Sequence, residues 1–270
     1  MTVRPATTAD VADALALLHG TGPTSEAVAH SFRLIARGEL DPRNLLVARG
    51  AGRVVGAVFG QVLPGASAVV WPPRAIDSAI EDQLMAAVIT HAAGAKVLQT
   101  FLPPEGMALA APLLRAGFRH VTRVWQMHRP ATALGVAPSL SLHPFTPADY
   151  PLLLRCHDDS DDCPELHGVR TPDEVVAGYL DAAPDPATWW VAVAGSAPVG
   201  TLILSGEEVC FLGVVPEHRG RGFGRALVDV LCTFAHPLSL IVDCRNERAC
   251  RLYRAAGFST VGAREVLLKF

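Results

Sequence analysis

The spacing of apolar positions changes period along this chain, and it does so twice in the same order. From Trp189 to Val215, "WWVAVAGSAPVGTLILSGEEVCFLGVV" gives β-branched runs broken by Gly-containing turns, the pattern of consecutive strands. "FGRALVDVL" from Phe223 spaces its apolar residues as a helix. "LSLIVDC" then reads as a strand, "ERACRLYRAAG" as a helix ended by Gly257, and "REVLLKF" as a last strand. A short opening strand and a helix started by a Thr/Asp region precede all of these, followed by a variable helical stretch. The order predicts a mixed α/β fold with helices covering a central sheet.

The first half repeats the pattern faintly. "TTADVADALALL" matches "TPADYPLLLRC", with Ala9-Asp10 over Ala148-Asp149; Val55-Gly56 falls on Val199-Gly200; "LLRAGF" at Leu113 matches "YRAAGF" at Tyr253. The offsets stay between 139 and 144. Two copies of a unit of roughly 130 residues suit ordinary domain sizes. The expected division is 1–130, a Pro- and Ala-rich linker at 131–141, and 142–270.

Composition narrows the function. Half of the 270 residues are apolar, 18% are charged, and the formal net charge is −3 with no long basic run. That argues against nucleic acid as the main partner. The opening "MTVRPATTADVADALALL" does not read as a signal peptide, and no stretch of ~18 uninterrupted apolar residues suggests a membrane span. A soluble cytoplasmic protein, monomer or homodimer, is expected. Six cysteines, at 156, 163, 210, 232, 244 and 250, form no CxxC pair, and are expected to be reduced and mostly buried.

The chemistry concentrates at "VVPEHRGRGFGRALVDVL". Arg219, Gly220, Arg221, Gly222, Phe223, Gly224 and Arg225 lie between a strand and a helix. Unpaired N–H groups at a helix start, with the helix dipole, attract anions. Glycines let several such groups converge and remove side chains that would block approach, and guanidinium suits phosphate oxygens. The loop therefore reads as a diphosphate cradle. It is neither GxxxxGK[ST] nor GxGxxG.

Arg219-x-x-Gly222-x-Gly224 resembles the signature of the GCN5-related N-acetyltransferases, which bind the pyrophosphate of acetyl-CoA there. Asn246, Ala249, Leu252, Tyr253, Gly257 and Phe258 match a second motif of that family. The resemblance covers the second half and implies two tandem domains of this kind, each a central, twisted, mostly antiparallel sheet flanked by helices. It implies a bulged strand at "CFLGVV" whose amides around Leu212, Gly213 and Val214 pair with the pantetheine arm, and Asn246 hydrogen-bonding the pantetheine side. Tyr253, seven residues later on the same helix face, matches the usual general acid. Glu208 matches a glutamate base of some relatives, while others rely on a water chain.

"CHDDSDDCPELHG", from Cys156, stays open between an acidic lip for a cationic amine, a plain solvated loop, and a metal site of Cys156, His157, Cys163 and His167. Its spacing matches no standard zinc pattern, and no metal is expected. His218 reads as a surface residue, and His236 with Pro237 as a helix end.

In the first half, "VVWPPRAIDSAIEDQL" stands where the cradle should be. The glycines are gone, Arg74 alone remains, and Pro72 and Pro73 donate no N–H. Leu113 replaces Tyr253, the place of Asn246 falls near Gly106, and no acidic residue occurs between Pro42 and Ile76. This copy is expected not to bind acetyl-CoA. Trp71 and Trp125 serve core packing or line a separate pocket. The expected activity is acetyl transfer from acetyl-CoA to a primary amine of a small molecule or peptide, by direct attack in a ternary complex. The alternatives are a non-catalytic acyl-CoA sensor and, further off, a scaffold that binds no CoA.

Overall fold

The computed structural model of the protein describes residues 2–131, 139–158, 160–234 and 236–270. Most of the expected linker, residues 132–138, lies outside the described residues. The chain packs as two units, one of residues 1–120 with 266–270, the other of residues 121–265.

The two halves of the sequence carry the same ten elements in the same order. The first runs β1 (Val3–Pro5), α1 (Val11–His19), α2 (Glu26–Ala36), β2 (Leu45–Gly50), β3 (Arg53–Leu63), β4 (Ser67–Ala75), α3 (Ser78–His91), β5 (Val97–Leu102), α4 (Ala111–Arg115) and β6 (Arg119–Arg129). The second runs β7 (Ser141–Pro144), α5 (Tyr150–His157), α6 (Pro172–Ala182), β8 (Trp189–Ala194), β9 (Ala197–Ser205), β10 (Glu208–Val214), α7 (Phe223–Leu231), β11 (Leu238–Asp243), α8 (Glu247–Ala255) and β12 (Ser259–Lys269). The mixed α/β reading and the doubled arrangement both hold.

The matched Thr-x-x-Asp segments fold alike because each closes the same local box before its first helix. Asp10 Oδ2 accepts from the Thr7 amide at 2.9 Å and hydroxyl at 2.6 Å. Asp149 Oδ2 accepts from the Thr146 amide and hydroxyl, both at 2.8 Å. The copies then diverge: buried Asp10 also pairs with Arg4 and Arg49.

In the first unit the sheet order is β1-β2-β3-β4-β5, antiparallel except for the parallel β4–β5 pair. Leu84, Met85 and Val88 of α3 pack on Val58 and Val70 of the sheet. In the second unit the order is β7-β8-β9-β10-β11-β6, again antiparallel except between β10 and β11. Leu227, Val228 and Leu231 of α7 and Cys250 and Tyr253 of α8 bury against Leu202, Leu240 and Val242. Trp125 packs on this core, and Trp71 packs on the Phe59 ring of the first unit at 4.8 Å.

The packing boundary does not follow the expected division at residue 130. β6 pairs with β11 from Leu238↔Arg129 to Asp243↔Val124, and residues 266–270 belong to the first unit, where Leu267 joins the core of Leu113 and Phe118. Alternation along a strand states which face is buried, not which sheet the strand joins. Among the described residues no helix is long and apolar enough to cross a membrane.

Candidate active site

The site begins where two parallel strands part. β10 pairs with β9 along its whole length, from Glu208↔Ser205 to Val214↔Gly200. Among the described residues its pairing with β11 is confined to Glu208↔Ser239. Beyond that point the other edge of β10 is left open among the described residues, and unpaired backbone groups there are available to a ligand. The β9–β10 ladder shifts register between Val209 and Phe211, so Cys210 is an extra, bulged residue. The Gly213 backbone lies so close to its neighbours that an added Cβ would stand 2.7 Å from Phe211 and 2.8 Å from Cys156.

The chain leaves β10 through a single 3-10 turn at Pro216–His218. Arg219 Nε donates to the Val214 carbonyl at 3.0 Å, tying the loop back to the strand end. Gly220 and Gly222 take left-handed φ values of 75° and 87°, which L side chains adopt only with strain. Gly222 is the N-cap of α7, and no side chain caps that helix. The first-turn N–H groups and the positive end of the helix dipole are therefore free of an internal carboxylate or hydroxyl. Arg221 is exposed without an ion pair among the described residues, whereas Arg225 is engaged with Asp229 at 2.8 Å.

The opposite wall comes from α8. Asn246 caps it: Oδ1 accepts from the Ala249 amide at 3.0 Å, while Nδ2 donates to Asp162 Oδ1 at 3.2 Å. Its amide is thus already committed at both ends. Tyr253, two turns further on, is 9% exposed and rests against Phe258. Its hydroxyl makes no hydrogen bond among the described residues, and burial raises its pKa well above the ordinary phenol value.

These parts line one open cleft. Of the residues singled out in the sequence, Leu212, Gly213, Val214, Arg219, Gly224, Asn246 and Tyr253 line it. Gly220, Arg221, Gly222, Phe223 and Arg225 belong to the loop and the first turn of α7 but are not among its lining residues. Glu208 is not brought to the cleft. It lies at the one paired position of β10 and β11, and lines a separate hollow with Gln126, His128, Ser239 and Ile241. A simple two-residue alternation would put Glu208 on the face of Leu212 and Val214; the extra residue at Cys210 breaks that alternation.

Sequence reasoning singled out the Cys156–Gly168 segment without choosing among its readings. The structure places Cys156, Ser160, Asp161 and Asp162 in the cleft wall. Long-range contacts hold that segment. Asp243, 1% exposed, accepts from Thr122 Oγ1 at 2.6 Å, from the Cys163 amide at 3.2 Å and from Arg245 at 2.7 Å. Arg245 in turn grips Glu165 through two bonds of 2.6 and 2.9 Å. Burial would raise the Asp243 carboxyl, but hydrogen bonds from Arg245 and Thr122 hold it below the usual range. Burial pushes the Cys156 thiol up to about 11. His157 is bound to the Tyr179 hydroxyl at 2.9 Å and lowered to about 4 by burial. Among the described residues, no three His, Cys, Asp or Glu side chains are grouped as metal ligands.

Phe211, Val228, Arg248, Ala249 and Leu252 complete the wall. Ala249 and Leu252 belong to the recognised motif, but nothing in the sequence marked Arg248 or Val228.

The chain is similar to several known proteins. Residues 153–258 match the model of the acetyltransferase (GNAT) family. A peptidyl-lysine N-acetyltransferase of Salmonella typhimurium is 37% identical over 95 residues, which is 35% of this chain and 63% of that relative. The GCN5-related N-acetyltransferase of Sphaerobacter thermophilus superposes with a TM-score of 0.62 at 19% identity, covering 99% of this chain and 95% of that one. A tandem GNAT protein from the clavulanic acid biosynthesis pathway does so with a TM-score of 0.52 at 17% identity, over 99% and 98%. At these identities the two structures speak for the fold.

Proposed function

We propose, from the match of residues 153–258 to the acetyltransferase (GNAT) family model, that the chain transfers the acetyl group of acetyl-CoA to a primary amine. The observation that carries the reading is the conjunction in one cleft of the open β10 edge, an uncapped helix start behind a glycine loop, and a buried Tyr253 with no hydrogen-bond partner among the described residues. The parts suit the ligand's chemistry. The amides around Gly222–Gly224, with Arg219 and Arg221, hold the pyrophosphate. The β10 edge from Leu212 to Val214 receives the amide-bearing pantetheine arm as an added strand would. A backbone N–H fixed on that edge stabilises the charge that develops on the thioester oxygen.

Tyr253 supplies the proton for the departing sulfur. A phenol kept neutral by burial at neutral pH is a donor for a developing thiolate. Asn246 acts here as the cap that holds α8 and hence Tyr253 in register; its side-chain bonds leave it little to offer the pantetheine. The acceptor is a small-molecule or peptide amine, attacking directly with both substrates bound. The acidic residues at the cleft wall favour a cation, in line with the peptidyl-lysine specificity named for the Salmonella relative.

The test is Tyr253→Phe with acetyl-CoA and a panel of peptide, polyamine and amino-sugar acceptors. Turnover is expected to fall by about 10²–10³-fold with acetyl-CoA affinity unchanged. A protein that binds acetyl-CoA but acetylates no amine would favour a non-catalytic acyl-CoA sensor, for which Tyr253→Phe changes nothing.

A further inference from the structure

We infer that Asp162 is the carboxylate that takes the proton from the attacking amine, an assignment that rests on the acetyl-transfer reading above. The groups lining the cleft leave few choices. Asp161 and Asp162 are its carboxylates among the described residues, and no histidine lines it. Cys156 and Tyr253 are held protonated by burial. Arg219 and Arg248 cannot accept a proton. Glu208 lies in another hollow.

Asp162 rather than Asp161 is the built group. Its Oδ1 accepts from the Asp243 amide at 3.1 Å and from Asn246 Nδ2 at 3.2 Å. These bonds fix the carboxylate at the junction of β11 and α8, the helix that carries Tyr253. Both land on the same oxygen, so Oδ2 has no partner among the described residues and can accept a further proton. Asp161 makes no hydrogen bond among the described residues. Tyr253, nine-tenths buried and unpartnered in the same cleft, is an independent sign that reacting groups meet here.

The step balances. The amine nitrogen forms its bond to the thioester carbon and the carbon–sulfur bond breaks. The N–H proton passes to Asp162 Oδ2, and the Tyr253 proton passes to sulfur. Solvent then takes the proton from Asp162 and restores the one on Tyr253.

Several groups set the charge state of Asp162. Its own loop supplies Asp161 and Cys163, and β11 supplies Asp243, whose charge Arg245 offsets. α8 supplies Cys250 and Tyr253, with Arg248 in the same wall, and α6 supplies Tyr179. Asp162 is exposed at its surface, but the cleft wall around its carboxyl raises its pKa above the ordinary aspartate value despite the two hydrogen bonds. The base works ionised, so turnover at low pH climbs as this group loses its proton.

The experiment uses Asp162→Asn, which keeps an Oδ1 acceptor for Asn246 and Asp243. The probe is acetyl-CoA with a peptide bearing a free α-amino group and one lysine. Wild type and variant are compared by calorimetric acetyl-CoA binding and by kcat over pH 5–9. The expected result is unchanged acetyl-CoA binding, a kcat lower by about 10²–10³-fold, and loss of the acidic limb of the profile. A kcat within threefold of wild type, or a retained acidic limb, overturns the assignment. Loss of acetyl-CoA binding in the variant also overturns it, and makes Asp162 a prop for α8. A wild-type protein that binds acetyl-CoA and acetylates neither peptide amine nor spermidine sinks the acetyl-transfer reading itself, and this assignment with it.

Discussion

The junction of fourth strand and following helix occurs in both units, and the two versions end differently. In the second unit β10 leaves β11 after a single pair, and α7 starts on a bare glycine. In the first unit β4 stays paired with β5 at Ser67↔Val97, Ala68↔Leu98 and Val69↔Gln99. The buried Thr100 hydroxyl then donates to the Val70 carbonyl at 2.7 Å, extending the seal. The helix start is filled as well: Asp77 caps α3, its carboxylate accepting from the Ile80 amide at 2.9 Å. A negative charge thus sits where a phosphate would have to go. Leu113, fully buried, stands in place of Tyr253. The same order of elements leaves an open edge in one unit and an ordinary ladder in the other. A site of this kind is made by what is left unpaired, not by the fold that surrounds it.

The comparison can be attacked most strongly at Gly222. Gly222→Glu puts a carboxylate at the start of α7, as Asp77 does for α3, and is expected to weaken acetyl-CoA binding by more than 100-fold. The left-handed φ adds a stability cost of about 1–2 kcal/mol, read as a modest drop in Tm. Gly222→Ala, which carries only the strain, separates the two effects: it should lose far less affinity than Gly222→Glu at a similar Tm.

A smaller effect tests the repeated Thr-x-x-Asp box. Asp10→Ala removes a buried carboxylate that serves Thr7, Arg4 and Arg49, and should cost about 2 kcal/mol. Asp149→Ala, at the exposed copy, should cost about 1 kcal/mol or less. The Asp10 effect should also depend on pH. Hydrogen bonds from Thr7 and the Arg4 charge hold this carboxyl well below the aspartate range. A depressed folded-state pKa contributes stability above the unfolded value, near 4, and that stability drains away as pH falls toward the folded value. Thermal melts should therefore show the gap between wild type and Asp10→Asn at full size at pH 6 and narrowed at pH 3. Smallest of all, Thr100→Val should cost about 1 kcal/mol and create no second acetyl-CoA site.

Much of this was legible in the chain. The doubled order of elements, the glycine loop, Asn246 and Tyr253 are local patterns, and the structure puts them where local rules place them. Three things were not legible. The side to which Glu208 turns depends on one extra residue at Cys210, which no periodicity announces. The approach of Asp161 and Asp162 to the cleft depends on Asp243, Arg245 and Glu165, partners some 80 positions apart in the chain. The sheet that β6 joins is a matter of strand pairing between residues more than 100 positions apart. The first is a local bulge that breaks the period; the other two are long-range contacts, and sequence spacing carries no signal for those.

The central claim is that one unit binds acetyl-CoA and the other does not. Calorimetric titration of the full chain with acetyl-CoA tests it most directly, read for stoichiometry as well as affinity. One site per chain, lost in Gly222→Glu, is the predicted result. Two sites would contradict the account of the β4–α3 junction, and no binding would contradict the account of the cleft itself.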